Sequence, residues 1–261
     1  MRNPWSLYDT LIEGVDPTWK VSHFSLGASW CEVCSGPHTG VAMTIRERGP
    51  GKQFPDPYDD MSLRDMAVMA KSWNFREASL GVAALNCYYN TVGKVGALGG
   101  FGNLEIRPGK TDDAARTELN AFIAFQDEIV GKKVAVIGHF PHIENQIGAV
   151  SDLIILERNP QKGDYPDSSC EYLIPEQDYL FMTGSTLINK TLPRLLELAG
   201  EKVKVCIVGP STCMAPALFD FGADNLSGFC ATDQEGVDLA IRRADVFSLF
   251  QAGYMASVGS R

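Results

Sequence analysis

Four stretches of the second half decide the fold: 134–141 (VAVIGHFP), 153–158 (LIILER), 180–189 (LFMTGSTLIN) and 203–212 (VKVCIVGPST). Each begins as a short apolar run rich in Val and Ile, the composition of a strand buried on both faces of a parallel sheet. Each run then stops at glycine, glutamate, threonine or serine. In open parallel sheets, ligands sit outside the carboxyl ends of the strands. The residues at which the runs stop are therefore candidates for a small-molecule site.

Working outward, a helix is expected over 115–129, then strands beginning near 134, 153, 179 and 204. A spacing of about 20 to 25 residues is that of repeated strand–helix units. Helices are expected at 142–149, 190–199, 215–221 and 233–243, and a fifth strand at 226–230. The first half has another rhythm. Residues 3–13 read as an amphipathic helix with Trp5, Leu7, Leu11 and Ile12 as buried positions. Segments 18–26 and 40–46 read as strands, and Pro50, Gly51, Pro55 and Pro57 mark an irregular loop. Ser62-x-x-Asp65 and Asn74-x-x-Glu77 each have the form of a helix start. Strands followed by helices make an α+β unit, and the alternating second half an α/β unit with a mainly parallel sheet.

The stretch 91–102 is glycine-rich but lacks the Gly-Lys-Ser/Thr ending of a phosphate-binding loop, so a mobile loop is the expectation. The polar run 107–113 (RPGKTDD) places a boundary between domains 1–110 and 111–261.

The 261 residues are 45% hydrophobic and 21% charged, with a net charge of −9. That balance suits a globular protein with a real core and argues against nucleic acid as a partner, which needs a basic surface. No apolar run approaches the roughly 18 residues of a membrane span. The N-terminal segment turns acidic before any long apolar stretch, unlike a signal peptide. Seven cysteines, mostly within apolar runs such as those of Cys87, Cys206 and Cys230, suit a reducing cytoplasm. A homo-oligomer stays open.

Gly138 and His139 end the first run, where a bulky pair and Pro141 replace the glycines of a dinucleotide fingerprint. His139 reads either as an acid, base or ligand, or as a histidine packed at a strand end. Glu157 ends the second run, 19 residues after Gly138. A carboxylate there accepts ribose hydroxyls, or else pairs with Arg158. Thr183, Gly184, Ser185 and Thr186 offer hydroxyls and turn N–H groups to an anion, with Asn189 adding an amide. Gly209, Ser211 and Thr212 repeat the theme at the fourth run. Cys31-x-x-Cys34 with His38, preceded by His23, has the ligand types of a zinc site, or is an incidental polar hairpin. No Gly-x-Ser-x-Gly elbow supports a serine hydrolase.

The segments GHFP, LIILER, MTGSTLINKT and VGPST, in this order, resemble the heavy-metal chelation family. That resemblance implies an enolase N-terminal-like domain followed by a Rossmann-like domain, with a site in the crevice between them. It implies a role in condensation or hydrolysis during synthesis of flavin-, pterin- or siderophore-like molecules, or in handling heavy metals. Three readings follow. One is an enzyme on a small anionic or heterocyclic metabolite, with His139 or Glu157 moving protons. The second is a non-catalytic protein holding a metal or metal–chelator complex through Cys31, Cys34, His38 and His139. The third is an S-adenosylmethionine-dependent methyltransferase. A divalent metal and an S-adenosylmethionine-like nucleoside both stay open as cofactors.

Overall fold

The expected strands nucleate the larger of two sheets. The computed structural model describes residues 3–46, 49–55, 58, 61–102 and 121–260. In the first half, α1 (Trp5–Glu13) precedes a three-stranded antiparallel sheet of β1 (His23–Leu26), β2 (Trp30–Ser35) and β3 (His38–Met43). Then come α2 (Leu63–Val68), α3 (Phe75–Tyr89) and α4 (Val92–Ala97), and the short β4 (Phe101–Gly102). Leu7, Tyr8, Leu11 and Ile12 form the buried face of α1, whereas Trp5 is half-buried.

Both expected helix starts are present. Ser62 Oγ accepts from Asp65 N at 3.0 Å, and Asn74 Oδ1 accepts from Arg76 N at 3.1 Å. Glu77, however, does not reach back to its cap. Its buried carboxylate accepts from the N–H groups of Gln53 and Phe54 and from the Ser72 and Tyr58 hydroxyls, pinning the proline-rich loop.

The 31–34 segment lies in the middle strand β2, buried along its whole length, and β2 and β3 form the expected hairpin, with Ser35 opposite His38. One face of β2 lies on α3, the other on a helix of the second half. The glycine-rich stretch forms α4, capped by Thr91 Oγ1 at 3.3 Å from Lys94 N, and then β4, instead of a loop. The site of the expected boundary, 107–113, lies outside the described residues, as do residues 115–120 of the expected helix 115–129. Only α5 (Ala121–Ala124) is described there as helix.

The second half carries β5 (Lys133–Ile137), β6 (Asp152–Glu157), β7 (Tyr165–Pro166), β8 (Tyr179–Thr183), β9 (Lys204–Val208), β10 (Asn225–Ala231) and β11 (Gly253–Gly259). Between them run α6 (Cys170–Leu173), α7 (Ser185–Ile188), α8 (Leu192–Ala199), α9 (Ala217–Asp220) and α10 (Gln234–Arg243). The sheet order is β4-β11-β10-β9-β8-β5-β6-β7. The neighbours from β10 through to β7 are parallel; β11 returns antiparallel beside β10, and β4 pairs antiparallel with β11. From β5 the chain moves to one side for β6 and to the other for β8. That reversal is a topological switch point, where adjacent crossovers lie on opposite faces and leave a crevice at the strand tips.

The two halves share one continuous core. Leu7, Met66 and Leu85 belong to the same buried cluster as Leu187, Met214 and Leu226. Polar pins cross the seam too. Tyr8 Oη donates to Leu187 O at 2.8 Å, and the Asn86 amide donates to Val41 O at 2.8 Å and Ser211 O at 3.2 Å. Asn90 donates to Thr212 O at 2.8 Å and Phe229 O at 3.3 Å, and accepts from Met214 N at 2.8 Å. Among the described residues, no helix is long and apolar enough to cross a membrane.

Candidate functional site

A cavity of about 860 Å³ opens at the switch point. Its floor is the carboxyl end of β5, β6 and β8, contributing Gly138 and His139, Glu157 and Arg158, and Thr183, Ser185 and Thr186. Its roof is the end of β3 and the residues after it, from Met43 to Arg46. The site therefore lies between the first-half sheet and the second-half sheet.

Gly138 leaves β5 at φ +98°, a conformation that costs a residue with a Cβ and that turns the chain out of the sheet. The backbone N–H of the next residue, His139, donates to Glu157 Oε2 at 3.0 Å, while Glu157 Oε1 accepts from Asn159 N at 3.0 Å. Glu157 thus lines the cavity but spends both oxygens on backbone. It does not pair with Arg158, whose Nε donates to Asp167 at 3.2 Å.

The His139 ring is held from behind. Its Nδ1 lies 3.0 Å from the carboxylate of Asp164, which is itself held by Gln161 N at 2.9 Å. A buried carboxylate on Nδ1 fixes the ring orientation and leaves Nε2 as the exchangeable nitrogen. Asp164, with a side chain only 3% exposed, is the orienting partner that the sequence pattern does not mark.

After β8, Ser185 Oγ meets only weak partners, Thr183 Oγ1 at 3.3 Å and the Met43 sulfur at 3.7 Å. Thr186 Oγ1 donates to Thr183 O at 2.8 Å, and Asn189 Oδ1 accepts from Thr191 Oγ1 at 2.7 Å. Asn189 and Thr186 line the cavity with part of their hydrogen-bonding already used.

The turn after β9 behaves differently. Gly209, Ser211 and Thr212 do not line the cavity. Ser211 Oγ accepts from Met43 N at 2.8 Å, and the Thr212 carbonyl accepts from Asn90. Gly184 belongs to the same packing. A Cβ there would come within 2.4 Å of Thr212 N, so glycine is required by close approach of the two turns.

Lys190 is, with Arg46, a cavity residue that sequence reasoning passed over, although it sits within the quoted MTGSTLINKT segment. It adopts φ +69°, a strained conformation for a residue with a side chain. Its Nζ donates to Ile188 O at 2.7 Å and faces the rings of Phe75 and Trp73 at 5.4 and 5.9 Å. Burial lowers its pKa from 10.5 to about 7. Among the described residues, neither Lys190 nor Arg46 meets a carboxylate, whereas the other two cavity cations pair with Asp167 and Glu171.

The structure does not bring Cys31, Cys34 and His38 together. Side chains of a strand alternate between faces, so residues 31 and 34 of β2 point to opposite sides. Cys31 Sγ contacts Ala42 O at 3.4 Å, Cys34 Sγ contacts Thr39 Oγ1 at 3.4 Å, and His38 stacks on Trp19 at 4.9 Å. Burial pushes the Cys31 thiol up to about 12 and the Cys34 thiol up to about 11, away from the thiolate that a soft metal wants.

The comparisons agree with this architecture. A family described as "Putative heavy-metal chelation" matches residues 120–258, and a second with the same description matches residues 8–89. An uncharacterized protein of Methanocaldococcus jannaschii is 31% identical over 92% of this chain and 90% of its own length. A crystal structure of a protein with unknown function from Desulfitobacterium hafniense is 33% identical, with TM-score 0.87 over 100% of both chains. Another, from Pyrococcus horikoshii, is 22% identical with TM-score 0.72 over 98% of this chain and 99% of that one, a likeness of fold. These matches across both halves place the chain in the heavy-metal chelation family.

Proposed function

We propose that the cavity binds a small anionic, heterocyclic metabolite and that the protein acts on it by condensation or hydrolysis. The observation that carries this reading is a pair of cations, Lys190 and Arg46, without carboxylate partners among the described residues in a cavity of ligand size. Lys190 is half-buried, where an ammonium facing no carboxylate among the described residues is costly unless an anion arrives, and Arg46 stands exposed at the cavity edge, within reach of the same anion. Lys190 and Arg46 hold the anionic group, Ser185 Oγ donates to it, and the apolar wall of Ile137, Phe140 and Leu195 packs on the ring. His139, oriented by Asp164, moves the proton at Nε2. Glu157 shapes the β5 turn through His139 N and is a positioning residue.

The metal-binding reading through Cys31, Cys34 and His38 has no common point at which an ion would sit. In the S-adenosylmethionine reading, Glu157 would hold a ribose only through its remaining lone pairs, since each oxygen already accepts one backbone N–H group. All seven cysteines are free and buried, which suits the proposed reducing cytoplasm. Calorimetric titration of the full chain with a panel of anionic flavin and pterin precursors tests the proposal. Binding of at least one member is expected, weakened about tenfold in Lys190→Met; no binding across the panel contradicts it.

A further inference from the structure

Away from the cavity, two strands and a helix bring three chemically distinctive side chains together. In the β1–β2 ladder His23 stands opposite Cys34, and Ser25 opposite Glu32. Cross-strand partners share a face, so His23 and Glu32 are diagonal neighbours on one side of the sheet. It is the side of Trp30 and Val41, which pack against Val237, Ala240 and Ile241 of α10. α10 adds Asp238. His23 Nε2 lies 3.7 Å from Glu32 Oε1 and 3.7 Å from Asp238 Oδ1, and the three ligand atoms all fall within 4.8 Å of one another.

A distance of 3.7 Å is too long for a hydrogen bond. It is close to the separation, roughly 3.4 Å, of two atoms sharing a tetrahedral ion at about 2.1 Å. A second observation points the same way. Glu32 is 0% exposed, and its Oε1 has no hydrogen-bond partner among the described residues. Buried carboxylate oxygens are rarely left so, because water solvation has been given up for nothing. Arg242 grips Asp238 through Nε at 2.9 Å and Nη2 at 2.8 Å. A carboxylate has about four lone-pair sites, so that grip leaves room for a cation and orients the ligand as an outer partner.

We propose that His23, Glu32 and Asp238 form a binding site for a divalent transition ion of the zinc class, which ties the three-stranded sheet to α10. One imidazole and two carboxylates suit zinc and its neighbours better than magnesium, which prefers oxygen alone and keeps its waters. Solvent reaches the site past His23, 45% exposed, while Glu32 anchors it from within. The site is independent of the cavity and of the function proposed for it.

The full chain, stripped with a chelator and titrated with zinc chloride by calorimetry, is expected to take up one ion. Cobalt(II) in its place is expected to give visible d–d absorption. His23→Ala and Asp238→Asn, both at positions that reach solvent, should each weaken zinc binding about tenfold or more. Cys31→Ser, on the far face of β2, should keep native affinity. No uptake by the native chain overturns the proposal, as does uptake at native affinity in both His23→Ala and Asp238→Asn.

Discussion

The turn after β8 and the turn after β9 look alike in sequence: each follows a buried strand, holds a glycine and ends on a Ser-Thr pair. The first, Thr183 to Thr186, lines the cavity with its three hydroxyl residues. The second, Gly209 to Thr212, is wedged into the seam between the halves. Its Ser211 holds Met43 N at 2.8 Å, and its Thr212 carbonyl holds Asn90 at 2.8 Å. The difference comes from the neighbours. β8 borders β5 at the switch point, where the crevice opens. β9 lies one strand further along, under α3, where a Cβ on Gly184 or Gly228 would come within 2.4 or 2.7 Å of Thr212 backbone atoms. Hydroxyls at a strand tip therefore serve binding or cohesion according to strand order, which residue type does not report.

The contrast can be broken most forcefully at Asn90. Asn90→Ala leaves Thr212 O, Phe229 O and Met214 N without their buried partner. A loss of about 3 kcal/mol is expected in the denaturant midpoint analysis, since unsatisfied buried backbone groups each carry a penalty. A loss below about 1 kcal/mol would mean that the seam is held by apolar packing alone.

Lys190 sharpens the other side of the comparison. The unfolded chain keeps this lysine protonated up to about pH 10.5, whereas the folded chain releases the proton near 7. The unfolded state therefore binds more protons in that window, and folding stability rises with pH from about 7 to about 10.5. Lys190→Met should remove this rise and be the more stable form below pH 7, as urea midpoints across that range would read. Parallel pH profiles for native protein and variant would contradict a half-buried ammonium that meets no carboxylate among the described residues.

The smallest effects separate the two turns directly. Ser211→Ala should cost about 1 kcal/mol through the lost Met43 contact, with ligand affinity unchanged. Ser185→Ala should cost less than about 0.5 kcal/mol, because its hydroxyl has only weak partners, yet lower ligand affinity severalfold. Equal effects of both substitutions on binding would erase the distinction.

The parallel strands were legible because strands buried on both faces are continuous apolar runs, as in LIILER. The helix starts at Ser62 and Asn74 were legible because capping is local chemistry. β11 was not, because GYMASVG mixes small, polar and aromatic residues without a clean period. Cys31 and Cys34 drew the eye as ligands, but a strand of alternating faces separates them. Of the cavity residues, His139, Glu157, Thr183, Ser185, Thr186 and Asn189 stand at strand tips and could be named from position. Asp164 and Lys190 could not, since one acts through a loop and the other through a strained turn that only three dimensions reveal.

The most direct test of the central claim, a cavity built for a small anion, is a thermal-shift measurement with anionic flavin and pterin precursors on native protein, Lys190→Met and Arg46→Ala. The account predicts that at least one anionic precursor stabilises the native chain, by about 2.7 kcal/mol at a hundred times its Kd, and that a tenfold loss of affinity in each variant cuts this to about 1.4 kcal/mol at the same concentration. A native chain unmoved by every precursor, or a gain that survives in full in both variants, would contradict it.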